Sequence, residues 1–568
     1  MSQRVIFEAS RIAHCNTTLW TGRVPGRDLI LARSAGDLPS LGLEGGEGLG
    51  EYTAFPAHYD NMLVWERLLA PERRLVALNH SGHRRGFGAG NRMVVSWHDL
   101  SDLTDLNTFA GWDGILAGML RSAAPFWFVQ QSIVRELIPE GVDPADYPGI
   151  GHTGGYGPRE LLRAGLFAYA SQGGYARSTL PIGADADHAI ILGRDEEALA
   201  ASLDFNKLAI SESRDYTKFT VDTSILFGFS MAFGAAGDRR FGDLFAGRRF
   251  VVPNILSGHP AFVFEYSKDE IARLGRKYWR ACAVHKEIYD HVLSVRVDRP
   301  FDYELSLDET PEAMPPRDLL FYLVLLESMG VPAGAVASAG PNLGFIKRHD
   351  YEGTLPDLRL QVNACASILE QRGAMLSVHS ADGVRASTGK GPGVDAVIQE
   401  ATDGRAELKV ADVYQEVMWQ VLASSEVRSE REIFVEAWRR TYEAARQLAV
   451  VYAREFAGHD AFSAHRRLSS PAERERIARA HGQDALRQTL GAIGYGLPVF
   501  ELAQDLLLAT NPDQPDPDNE LFRRFMFLTF RGLRARLFRE MTRSGWERLR
   551  DALAWATVVR LQAMHWER

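Results

Sequence analysis

The sequence predicts an α/β fold, a (β/α)8 TIM-like barrel with an N-terminal elaboration and a C-terminal helical region. Short β-like runs alternate with helical patterns between about residues 80 and 420. That alternation is the mark of parallel strands joined by crossover helices. The runs number seven or eight, which fits a closed barrel better than an open sheet. Polar residues collect at the C-terminal ends of these runs, where barrels carry their chemistry.

Taken in order, residues 1–80 are mixed, with a Gly-rich stretch "LGLEGGEGLGEY", and form the N-terminal elaboration. The barrel is expected over residues 81–420, opening at "RRGFGAGNRMVV". Its β-like runs are "PFWFVQQ", "LPIGADAD", "KFTVDTS", "FDYELSLDE", "GAVASAG", "AMLSVHS" and "RAELKVAD". Helical patterns such as "DEEALAASLD", "PRDLLFYLVLLESMG" and "DLRLQVNACASILEQRG" lie between them. No GxGxxG opens a helix after the first strand, so a dinucleotide fold is not favoured. Residues 421–568 read as helical, with arginines alternating with apolar residues and a Pro/Asp linker, "NPDQPDPDNE". Those helices are expected to pack on the barrel.

The 568 residues carry a net charge of −9 and no basic tract, which argues against a nucleic-acid partner. Three separated cysteines, Cys15, Cys282 and Cys365, exclude a disulfide framework and a thiolate zinc site. The N-terminus has no uninterrupted apolar stretch, and runs such as "LLFYLVLL" are too short to cross a bilayer. A cytoplasmic location is therefore expected, with no membrane partner; a homo-oligomer is left open.

Expected strand ends read Gln130–Gln131, Asp185–Asp187–His188, Asp222, Glu304–Asp308–Glu309, Asn342, His379 with Asp382, and Lys409. Desolvating several charges costs too much unless they pair or bind something. A single buried histidine is ordinarily structural. Two histidines on different strands beside carboxylates point instead to a divalent cation such as Zn, Mn, Co or Ni. Period-two alternation puts Asp302, Glu304, Ser306 and Asp308 on one face, the lumen of a barrel. Asp187 and His188 are adjacent, so both can serve one site only if the strand ends or bulges there.

Seven segments in one order, "GFGAGNR", "FVQQSIVREL", "GADADH", "KFTVD", "YELSLDET", "LSVHSADG" and "ELKVA", resemble the tagaturonate/fructuronate epimerases. The resemblance implies a metal-dependent sugar-acid epimerase on a barrel fold. It assigns Asp187 as proton acceptor and Glu304 as proton donor, with His188 and His379 as metal ligands. Arg84, Arg92, Gln130, Gln131 and Lys409 match recurrent polar positions, assigned to substrate. Asp222, Asp308 and Asn342 join them from the other strand ends. The third metal ligand is unassigned. The implied chemistry is a retro-aldol inversion of a keto-hexuronate. A metal-dependent aldolase or isomerase of a related sugar acid, or a non-catalytic sugar-acid binder, is the alternative.

Overall fold

The structure is a computed structural model. It describes residues 4–71, 74–90, 111–122, 126–134, 137, 157–174, 180–191, 193, 195–228, 241–297, 299–310, 312–385, 388–459, 467, 471–481 and 497–566.

The first 56 residues hold a five-stranded antiparallel sheet, which the sequence pattern alone did not resolve. Its strands are β1 (Val5–His14), β2 (Thr17–Val24), β3 (Arg27–Ser34), β4 (Glu47–Leu49) and β5 (Tyr52–Pro56), in the order β1-β2-β3-β5-β4. Leu19, Ile30, Ala32 and Phe55 join the main core, while Trp20, Leu29, Leu31 and Tyr52 form a small cluster on the sheet's other face. A buried chain of charge ties the sheet to the barrel. Arg23 donates to Asp28 at 2.6 Å, and Arg163 of the helix Pro158–Ser171 reaches Asp28 at 3.1 Å.

Eight parallel strands then close a barrel, as the alternation predicts. They are β6 (Arg85–Gly90), β7 (Phe126–Ser132), β8 (Ile182–Ile190), β9 (Lys218–Asp222), β12 (Asp302–Leu307), β13 (Val336–Pro341), β14 (Met375–Val378) and β15 (Ala406–Val410). Between β9 and β12 a hairpin, β10 (Phe250–Val252) with β11 (Phe262–Phe264), stands apart. Each of the seven β-like runs overlaps one of the barrel strands, and β6 lies in the opening segment.

Alternation sorts the side chains. Phe87, Trp127, Val129, Phe219, Val221, Tyr303, Leu305, Leu376 and Leu408 enter the core shared with the surrounding helices. Those helices start where the local chemistry allows. Asp195 caps Glu196–Glu212, Thr354 caps Leu355–Glu370, and Ser267 with Glu270 forms a capping box on Lys268–Val295. The lumen is stoppered at the N-terminal end by Leu78, Phe126, Phe128 and Met375. Asp302 lies at that same end, accepting from the backbone N–H groups of Leu78 and Asn79 at 2.5 and 3.1 Å.

The C-terminal helices pack on the barrel. Trp546, Leu549 and Leu553 of the helix Arg543–Ala563 belong to the barrel's core. Close approach to the helix Gly111–Arg121 requires glycine. A Cβ on Gly118 would lie 2.6 Å from both the Ala554 carbonyl and the Thr557 Cβ. Among the described residues no helix is long and apolar enough to cross a membrane. Gly118→Val is expected to destabilise the protein by about 1–3 kcal/mol, the usual cost of overpacking, in urea denaturation. An unchanged midpoint would show that the two helices do not meet at this spacing.

Candidate active site

The lumen above the apolar stopper is filled with charge. β9 brings in Lys218 and Thr220, β8 Asp185, β12 Glu304, and β15 Glu407 and Lys409. The register explains why they meet: Asp185 and Asp302 both align with Lys218, and Glu304 aligns with Thr220 and Ser338. Lys218 pairs with Glu304 at 2.5 Å and with Glu407, and lies 3.7 Å from Asp185. Lys409 pairs with Glu304 at 2.7 Å, Asp187 at 2.8 Å and Asp185 at 2.9 Å, and donates to Thr220 at 2.7 Å. Asp185, Glu304, Glu407 and Lys218 are buried to 1% exposure or less.

Burial opposes the ionisation of Glu304, but Lys218, Lys409 and His379 outweigh it and hold the carboxyl well below its ordinary range. Burial wins at Asp185, which is pushed up despite Lys409 and Lys218. It also wins at Glu407, pushed up to about 7 with help from Glu304. The lumen therefore holds firmly ionised carboxylates beside reluctant ones.

Toward the mouth, β8 bulges between Ala186 and Ala189, and His188 has a left-handed backbone with φ of 56°. The bulge inserts a residue against β9 and re-aims the side chains that follow. Asp187 thereby stays over the lumen, receiving Lys409 on one oxygen and Gln130 Nε2 on the other at 3.1 Å. His188 turns to the rim of β9, where its Nε2 lies 2.9 Å from Asp222 Oδ2 and 3.9 Å from Glu309 Oε1. Burial disfavours the charge of Asp187, but Lys409, His188 and His379 overcome it and lower the pKa.

His379 crosses the mouth from β14. Its Nε2 bonds Glu304 Oε1 at 2.6 Å and its Nδ1 bonds Asp308 Oδ1 at 3.0 Å. Gly340 makes room for the ring, since a Cβ there would sit 2.9 Å from it. Burial disfavours an imidazolium, yet Asp308 and Glu304 raise the His379 pKa to about 10. Asp308, opposed by burial but facing His379, falls to about 2.

One set of side chains could hold a divalent cation. His188, Asp222 and Glu309 offer ligand atoms within 4.8 Å of one another. Imidazole with carboxylates suits first-row divalent metals, whose bonds of ~2.0–2.2 Å allow such spacings. The left-handed conformation at His188 is the kind of backbone outlier that clusters at functional sites.

The geometry places the other expected site residues. His379 has both ring nitrogens bonded to carboxylates, and His188 faces Asp222 and Glu309. Asp222, expected to touch substrate, faces His188 and accepts from the Ser224 N–H at 2.7 Å. Glu304 has both oxygens engaged, Oε2 also receiving Ser338 at 2.5 Å. Lys409 is committed to three carboxylates. Asn342 is committed as well. Its amide donates to the carbonyls of Asp308 and Thr310 at 3.2 and 2.7 Å, and its oxygen accepts from Gly344 N–H, fixing the turn that carries Glu309. Asp308 serves His379 and Ser306.

Gln130 does reach the site, through Asp187. Gln131 is buried at the end of the same strand, outside the Asp187–Lys409 hydrogen bonds. Arg84 precedes β6, exposed at the N-terminal end of the barrel, where it bonds Asn79. It is on the wrong end for the mouth. Arg92 lies outside the described residues. Sequence reasoning missed Lys218 and Glu407. The alternation in "KFTVD" and "ELKVA" that exposes Asp222 and Lys409 to the lumen also exposes them.

The model of the tagaturonate epimerase family, UxaE, matches residues 159–451. The chain belongs to that family. The match takes in β8, β9 and β12–β15, and with them Asp187, His188, Asp222, Glu304, Glu309, His379 and Lys409. No curated protein matches the chain. Among solved structures, the native fructuronate-tagaturonate epimerase UxaE from Cohnella laeviribosi is similar, with 17% identity and a TM-score of 0.59. That likeness covers 99% of this chain and 97% of the other. A glycerol complex of the same enzyme gives 18% identity and a TM-score of 0.57, over 99% of this chain and 97% of that one. At such identities the likeness establishes the fold.

The raised pKa of His379 makes stability depend on pH. Its contribution is fully present below about 6.5, the ordinary value, and is lost as pH rises through about 10. In metal-free protein, the stability difference between wild type and His379→Gln is expected to shrink as urea melts are repeated from pH 6.5 to 10. A difference that stays constant would mean that His379 is neutral between its two carboxylates.

Proposed function

We propose that the protein is a divalent-metal-dependent epimerase that interconverts tagaturonate and fructuronate, or a close keto-hexuronate pair, by retro-aldol chemistry. Family membership supports the epimerase reading. The observation that carries the mechanism is the bulge at Asp187–His188, which puts an ionised carboxylate beside a His/Asp/Glu donor set.

The two sugar acids differ at a hydroxyl-bearing carbon β to the ketone. The hydrogen on that carbon is not acidified by the ketone, so simple deprotonation cannot invert it. Asp187, kept ionised by Lys409, accepts the proton of the β-hydroxyl. The carbon–carbon bond then breaks, giving an aldehyde and an enediolate. The aldehyde presents its other face, the bond re-forms, and a proton returns to the new alkoxide. Asp187, now the carboxylic acid, returns the proton it took and so ends the cycle as it began, while Glu304 and Asp308 hold the His379 ring over the lumen. Lys409 restrains Asp187, and Gln130 fixes its second oxygen. His188, Asp222 and Glu309 would hold the metal, which supplies Lewis-acid stabilisation of the charge developing on the ketone oxygen.

Activity on tagaturonate is expected to disappear on chelation and return with a divalent cation. Asp187→Asn should retain bound metal by elemental analysis and lose about 10²–10⁴-fold in kcat, the scale of acid/base catalysis. His188→Ala should lose the metal itself. Full turnover in Asp187→Asn would remove it as the base. Accumulation of cleaved fragments by wild type would instead mark an aldolase.

A further inference from the structure

We propose that Arg524, on the short helix Glu520–Phe525, receives the carboxylate of the sugar acid at the barrel mouth. The inference rests on the hexuronate reading above. A hexuronate brings a fixed negative charge to a mouth already lined with carboxylates, so a cation must meet it.

Among the described residues, the neighbouring lysines and Arg348 are committed elsewhere. Lys409 serves Asp185, Asp187 and Glu304. Lys390 donates to the carbonyls of Ile346, His349 and Asp382. Lys347 pairs with Asp412 at 3.0 Å, and Arg348 pairs with Asp412 at 2.9 Å and Glu416 at 3.4 Å. Arg524 makes no hydrogen bond and no ion pair with a described residue. It is half-buried and within electrostatic reach of Glu309, Asp412 and Arg348.

The helix that carries it is fixed against the mouth. Arg523 donates to the carbonyls of Gly383 and Val384, beyond β14, and pairs with Glu416 on the helix after β15 at 3.0 Å. Glu520 meets His349, in the loop after β13, at 3.5 Å. Arg524 is thus positioned by its neighbour yet unspent itself. Burial, then Arg348, disfavours its charge more than Asp412, Glu309 and Glu520 support it, and the pKa is lowered. An incoming carboxylate would relieve that imbalance. Arg524 also lies beyond residues 159–451, so the cation that selects an acid would come from outside the segment matched to the family.

The test is calorimetric titration of tagaturonate into the metal-replete wild type, Arg524→Gln and Arg524→Lys, with tagatose as the analogue lacking the carboxylate. Loss of a charge-assisted pair should weaken tagaturonate binding about 10- to 100-fold in Arg524→Gln. Arg524→Lys should recover part of it, and tagatose should bind wild type and both variants alike. Unchanged tagaturonate binding in Arg524→Gln would overturn the proposal, and so would an equal loss for tagatose. Arg524-dependent binding of tagaturonate without turnover by wild type would sink the epimerase reading and keep this one. Turnover by wild type with Arg524-independent binding would do the reverse, and no binding to wild type would sink both.

Discussion

Two buried lysines, Lys218 and Lys409, hold the rest of the site in place. A barrel lumen is normally filled by branched apolar side chains. Here its middle layer is ionic, and each desolvated ion costs several kcal/mol unless its partners are close and well oriented. The lysines meet that cost jointly: Lys218 binds Glu304 and Glu407, and Lys409 binds Asp185, Asp187 and Glu304. Glu304 bridges the two. Such a layer specifies one arrangement of strands, because a slip in register would leave bare charge in the interior.

The groups at the mouth grow out of this layer. Lys409 keeps Asp187 ionised from below, and Glu304 reaches up to hold His379. One ionised carboxylate and one charged imidazole therefore stand over a common foundation, while the bulge turns His188 outward to Asp222 and Glu309. A lumen-facing carboxylate and a candidate metal ligand can be neighbours in sequence because β8 loses its regular pleat between Ala186 and Ala189. The C-terminal helices complete the mouth from outside, with Arg523 clamping the loop after β14 and Arg560 gripping Asp395 through two bonds at 3.0 and 3.3 Å.

The barrel was legible because each strand is a short apolar run ending in polar residues, and each crossover shows helical periodicity. The N-terminal sheet was not, since β1 and β2 mix polar and apolar residues on both faces and their core face is revealed only by what packs on it. At the site, adjacency and alternation identified Asp187, His188, Glu304 and His379 as residues of one mouth. They could not tell which histidine faces which carboxylate. His188 and His379 stand on strands that are not neighbours in the barrel, and the loop after β12 decides that Asp308 meets one while Glu309 approaches the other. Nor could period-two patterning show that Lys409 is fully occupied, because its partners come from three different strands.

The most direct measurement of the central claim follows the hydrogen on the inverted carbon. Tagaturonate is incubated with metal-replete enzyme in D2O and the products are read by NMR. The account predicts fructuronate with no deuterium at that carbon, because the bond that breaks and re-forms joins two carbons. Deuterium at that position, or no fructuronate at all, would contradict it.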